Sequence, residues 1–127
     1  MTVDWLTLSG QAWQARQHAR ILGRTAVGCA VLGGDGRSWV GCNVEHTFRS
    51  HDIHAEVNAI SSMIAAGEQH LVAVLVAADR DRFLPCGACL DWIFEFGGKA
   101  CQVAWQQELV QPPAVLQAGE LMPYYPA

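Results

Sequence analysis

The sequence predicts an α/β fold, a three-layer α/β/α sandwich around a mixed sheet. Three observations predict it. Strand-like and helix-like stretches follow in the order helix, hairpin, helix, strand, helix, strand, which layers helices on the faces of a sheet. One run, LVAVLVAA at Leu71–Ala78, is apolar throughout, as a central strand covered on both sides must be. The chain has 127 residues, enough for one compact domain over 1–127, and shows no linker or internal repeat.

The elements can be justified in turn. Trp5, Leu8, Ala12, Ala15, Ala19 and Leu22 recur at three- and four-residue steps, predicting a helix over Asp4–Leu22 that Gly23 stops. Ala26–Leu32 is a short apolar run with β-branched residues. The turn GGDG and a second strand, SWVGCNVE, follow it, so the pair reads as a hairpin. His54–Ala66 reads as a deeply buried helix ended by Gly67, and Cys86–Phe96 as another stopped by Gly97 and Gly98. Cys101–Trp105 is a further strand. The proline-rich tail from Pro112 reads mostly as loop, with a short helical turn at Ala118–Leu121. Helices from Asp4, His54 and Cys86 are expected to cover the sheet.

Composition narrows the partners. The net charge is −4, Lys99 is the only lysine, and the arginines are scattered apart from Arg16/Arg20 and Arg80/Arg82. A polynucleotide binder carries a basic stripe, so a small-molecule substrate is expected and nucleic acid is not. No segment approaches the ~20 apolar residues of a membrane span, and MTVDWLTLSG lacks the basic start and apolar run of a secretory leader. Five cysteines, an odd number, fit reduced thiols in the cytoplasm better than a disulfide framework. Hydrophobic residues make up 51% and charged residues 16%, which leaves apolar surface that oligomerisation would cover.

Two short motifs carry chemistry. PCGAC, Pro85–Cys89, sets two thiols at i and i+3 on the first turn of a predicted helix, where free N–H groups and the dipole stabilise thiolate. On its own this pattern fits a redox pair or half of a structural zinc site. Cys29, Cys42 and Cys101 each sit in or beside an apolar strand and read as small buried hydrophobes. His18 and His70 read as surface residues, and His46 and His51 as polar loop residues. His54 differs because Glu56 follows it two residues on. His54, Cys86 and Cys89 would give Zn2+ three protein ligands and one open position, the mark of a catalytic site. Glu56 diverges from His54 and would lie beside the open position as a proton shuttle rather than a ligand. The combination H-x-E … P-C-x-x-C, with roughly thirty residues between, is the signature of zinc nucleobase deaminases.

With these motifs in place the chain resembles the cytidine deaminase family from about Arg20 to Pro126. VGCAVL at Val27–Leu32 is similar to that family's VGAAL strand, and GCNVEHT at Gly41–Thr47 to its GxNxENA segment. PCGAC is its cysteine motif, and GELMP at Gly119–Pro123 resembles its terminal ELLP. The resemblance implies a five-stranded mixed sheet, Zn2+, and hydrolytic deamination of cytidine or deoxycytidine with release of ammonia. It implies that Asn43 and Glu45 hold the ribose hydroxyls and that Ala55 offers its backbone to the base. It also implies that Glu56 protonates ring N3 and passes a proton to the leaving ammonia, and that Cys86 N–H helps fix the pyrimidine carbonyl. A homotetramer with sites shared between subunits is implied too.

Departures mark the substrate surround. His54 stands where the small family has cysteine. Thr25 stands two positions before VGCAVL, where an aromatic base-stacking residue is found. Val57 replaces an arginine, and the usual CRQ reads Cys89-Leu90-Asp91 here, with Trp92 following. Tyr124 and Tyr125 stand just before a phenylalanine position that reaches a neighbour's site, which makes Tyr125, like Thr25, a candidate substrate-binding residue. Thr25, Val57, Asp91 and Trp92 are therefore expected to set specificity. A modified or antibiotic cytosine nucleoside, as in blasticidin S deaminase, is the rival substrate. A polynucleotide deaminase and a non-catalytic nucleoside-binding module are the remaining alternatives.

Overall fold

The structure is a computed structural model that describes residues 2–126. Its sheet has five strands: β1 (Val27–Gly33), β2 (Ser38–Cys42), β3 (Leu71–Ala78), β4 (Gln102–Gln106) and β5 (Ala114–Gln117), in the order β2-β1-β3-β4-β5. β1 runs antiparallel to β2 and to β3, β3 parallel to β4, and β4 antiparallel to β5, so the sheet is mixed.

Alternation along β3 divides the core into two layers, because successive side chains point to opposite faces. Val74, Val76 and Ala78 join Val27, Cys29 and Val31 beneath the helices α2 (Ala55–Ala65) and α3 (Gly87–Gly97), where Ile60, Met63 and Ile93 fill the space. Ala73, Leu75 and Ala77 face the other way, with Ala30 and Ala104, against Leu8 and Ala12 of α1 (Trp5–Arg16). The small residues on that face let α1 come close: a Cβ at Gly28 would stand 2.0 Å from the Ala12 carbonyl oxygen. A short helix, α4 (Ala118–Leu121), follows β5. No helix among the described residues is long and apolar enough to cross a membrane.

Two expectations need correction. The first helix ends at Arg16, not Leu22. Beyond it the backbone is captured by the segment after β2: Arg20 N–H donates to the Asn43 carbonyl at 3.1 Å, and Glu45 N–H to the Arg20 carbonyl at 2.7 Å. Tertiary pairing overrides a local helical period there. The tail is also more ordered than a loop, since AVLQ pairs along β4 from Ala114 to Gln117. This edge strand is four residues long and mostly exposed, so it carries no burial pattern to read.

Candidate active site

α2 and α3 converge on one end of the sheet, where β1 begins and β3 ends. In an open sheet the carboxyl ends of strands flanked by helix N-termini are where ligands are held. His54 is the residue before α2 and Cys86 the residue before α3, each with extended backbone. A polar residue at this position normally turns its side chain back to cap the helix. Neither does so here, which leaves both donors free to point into the gap between the helices. Cys89, one turn into α3, completes the group.

His54 Nδ1 lies 3.3 Å from Cys89 Sγ and 3.4 Å from Cys86 Sγ, and the three donor atoms all fall within 4.8 Å of one another. Tetrahedral zinc, with Zn–S near 2.3 Å and Zn–N near 2.0 Å, spaces such ligands about 3.5 Å apart. One imidazole and two sulfurs at these separations therefore fit a zinc ion with one position left for water. Burial first, and then the neighbouring Glu56 and Cys86, push the Cys89 thiol far above its ordinary value. Without a cation that site favours a protonated thiol. A dication reverses the preference, because it stabilises the thiolate directly.

Glu56 is 4% exposed on the first turn of α2, and burial raises its carboxyl above the ordinary range. A carboxyl held this way exchanges protons near neutrality more readily than a surface glutamate. His54, Cys86 and Glu56 open onto a cleft of about 370 Å³. That is in the range of pockets that enclose one small ligand.

Thr25, Asn43, Glu45, Ala55 and Glu56 all line the cleft, as does Cys86. Asn43 is fixed from both ends: its Oδ1 accepts from Val27 N–H at 2.9 Å and its Nδ2 donates to the Thr25 carbonyl at 2.8 Å. Glu45 accepts from the N–H groups of Leu22 and Gly23 at 2.6 and 2.7 Å and pairs with Arg49 at 3.2 Å. The N–H of Gly23 first, then that of Leu22, hold its carboxyl below the usual range. Each side chain still has hydrogen-bonding capacity left for a ligand.

Other expected specificity residues lie elsewhere. Tyr125 stacks on Phe94 with ring centroids 4.1 Å apart and hydrogen-bonds Asp91, outside this cleft. Asp91 and Trp92 face a separate hollow with Glu95 and Phe96. Val57 does not line the cleft either. Sequence reasoning missed Arg49, Asp52, Ile53, Phe83 and Leu84, which do. Arg49 donates to Asp52 at 2.9 Å, and Asp52 accepts from His46 N–H at 2.6 Å, so this short loop is braced just before His54. The available signals were an Arg-x-x-Asp spacing ahead of HAE and an aromatic residue two positions before Pro85.

Residues 6–105 match the family model for the cytidine and deoxycytidylate deaminase zinc-binding region. The chain belongs to the cytidine and deoxycytidylate deaminase family. It is 32% identical over 123 residues to a cytidine deaminase of Mycobacterium tuberculosis, covering 95% of this chain and 88% of that one. Among solved structures, the cytidine deaminase of Mycobacterium leprae superposes with a TM-score of 0.84 at 31% identity, covering 96% of this chain and 99% of that one. That of Burkholderia pseudomallei gives 0.84 at 31% identity, covering 97% and 98%. The mixed five-stranded α/β fold expected from the sequence is thus that of these deaminases. The protein is a zinc-dependent hydrolytic deaminase of cytidine type.

Proposed function

We propose that the protein converts cytidine or deoxycytidine to the uracil nucleoside, with His54, Cys86 and Cys89 as the zinc ligands and Glu56 as the catalytic proton carrier. One observation carries these assignments: an imidazole and two thiols stand at zinc-ligand spacing, and His54 and Cys86 of that group share a cleft with a buried carboxyl. When bound, zinc supplies Lewis acidity toward water. Glu56 accepts the proton that water gives up as its oxygen adds to C4, and delivers it to N3. It then takes the remaining proton from the C4 hydroxyl and passes it to the departing amine. One water is consumed, the C4–N bond breaks, a C4 carbonyl forms and ammonia leaves.

Asn43 and Glu45 hold the sugar hydroxyls, one donating and the other accepting. Ala55 and Cys86 stand at helix starts, where N–H groups have no intrahelical acceptor and serve the pyrimidine carbonyl. Phe83, which packs on the core from the cleft wall, supplies an apolar face for the base in place of an aromatic at Thr25. A homotetramer in the cytoplasm completes the reading. Five free thiols support the compartment. Exposed Val44, Phe48 and Ile53, beside or in the cleft, support the assembly.

Thr25 favours a second reading. A threonine on the cleft wall leaves room and polarity that suit a modified cytosine nucleoside. Ammonia release assayed over cytidine, deoxycytidine, free cytosine and modified cytosine nucleosides, together with zinc analysis, tests both. The expected result is turnover of a cytosine nucleoside by a zinc-loaded protein, and loss of zinc in His54→Ala. A His54→Ala protein that retains full zinc would contradict the ligand set.

A further inference from the structure

Arg80 follows β3, and its guanidinium reaches Thr25, a residue that lines the cleft. Its Nη2 donates to Thr25 Oγ1 at 2.7 Å and its Nε to the same oxygen at 3.2 Å. Asp79 and Asp81 flank it in sequence, yet it forms no ion pair with either, or with any other carboxylate among the described residues. An exposed arginine with two adjacent carboxylates to choose from is instead bound to a neutral hydroxyl. That contact consumes part of a five-donor fork and none of its charge.

Its surroundings strengthen the point. Thr25 lies on the Asn43 side of the cleft, since its carbonyl accepts from Asn43 Nδ2. Arg20 is close by, donating from Nη1 to the Glu45 carbonyl at 2.6 Å, and Arg49 pairs with both Glu45 and Asp52. The chain as a whole is acidic, at −4. At this end of the cleft Arg49 pairs with the carboxylates Glu45 and Asp52, while Arg20 donates to a backbone carbonyl and Arg80 to a hydroxyl. Folding gathers arginines that are scattered in the sequence, and Arg80 is the one held by a cleft-lining side chain, Thr25, with no carboxylate partner among the described residues.

We propose that Arg80, oriented by Thr25, is a specificity residue that binds an anionic group, a carboxylate or a phosphate, on the sugar side of a cytosine nucleoside. This rests on the deaminase reading above. A planar guanidinium engages either anion through two parallel N–H bonds. Thr25 fixes its position before substrate arrives, and so reduces the ordering cost of binding.

The test compares kcat/KM for ammonia release from cytidine, cytidine 5′-monophosphate and the cytidine analogue whose 5′ carbon is a carboxylate. Each is assayed with wild type, Arg80→Ala and Arg80→Glu at low and high salt. The expected result is a preference of tenfold or more for at least one anionic substrate over cytidine. That preference collapses toward unity in Arg80→Ala, reverses in Arg80→Glu, and weakens with salt. A gain with only one of the two anions identifies the anion. Turnover of cytidine with no anion preference, or with a preference that Arg80→Ala changes less than twofold, overturns the inference and leaves the deaminase reading standing. Release of ammonia from none of the three substrates overturns the deaminase reading and this inference with it.

Discussion

Gly41 of β2 and Ala55 at the head of α2 meet backbone to backbone: a Cβ at Gly41 would stand 2.6 Å from the Ala55 carbonyl oxygen and 2.5 Å from the Ala59 nitrogen. The contact seats the first turn of α2, which carries Glu56 and follows His54, directly on the sheet. Asn58 adds a second tie by accepting from Cys42 N–H at 3.0 Å. Gly41→Ala must push the helix outward or bend the strand, at a cost of about 1–3 kcal/mol. Activity is expected to fall further than stability, because the displaced turn bears the site. Gly10 is the control. It lies at an exposed position of α1 with nothing within 4 Å of a built Cβ. Gly10→Ala is therefore expected to stabilise by about 1 kcal/mol and leave ammonia release unchanged. Chemical denaturation and the activity assay read both.

Asn43 bridges the approach to β1 from the wall of the cleft. Asn43→Ala leaves the Val27 N–H and the Thr25 carbonyl without their side-chain partner in a site only 9% exposed. A loss of about 1–3 kcal/mol of stability is expected, together with a rise in KM as the sugar loses a donor. Asn43→Asp retains an acceptor for Val27 but sets a carboxylate oxygen against the Thr25 carbonyl. It is expected to be no better than Asn43→Ala, and denaturation of the two variants side by side decides it.

Glu45 gives the protein an acid-sensitive brace. Its folded carboxyl is held below the ordinary value of 4.5 by the N–H groups of Gly23 and Leu22 and by Arg49. A depressed carboxylate contributes stability that is fully present above its unfolded value and disappears as pH falls through the folded one. Wild type is therefore expected to be more stable than Glu45→Gln above about pH 4.5. The difference should shrink steadily on further acidification. Thermal melts of both proteins across that range check it. A gap that stays constant with pH would contradict the ionic origin.

Much of this was legible beforehand, for physical reasons. β3 was read to the residue because an unbroken apolar run bounded by polar residues has only one placement in a sheet. The grouping of His54, Cys86 and Cys89, with Glu56 nearby, was legible as a candidate site because metal chemistry demands particular atoms at particular spacings, and both motifs sit at helix starts. The end of α1 was not, because the pairing of Arg20 with Asn43 and Glu45 is a long-range contact that local periodicity does not encode. Phe83, Arg49 and Ile53 were missed because an aromatic, a cation and an aliphatic in loops have no pattern of their own. Only folding turns them toward one cleft. Asp91 and Trp92 illustrate the converse: they differ from the family pattern, yet they face away from it.

The account turns on Glu56 as a proton carrier beside the metal and not a ligand to it. The most direct measurement is zinc content and ammonia release on the same preparation of Glu56→Gln, which keeps the shape and removes the exchangeable carboxyl. The account predicts a folded protein with wild-type zinc whose release of ammonia from its cytosine nucleoside falls by at least about 100-fold, the lower range for removing a general acid–base group. A Glu56→Gln protein that binds zinc and turns over at near wild-type rate would contradict it.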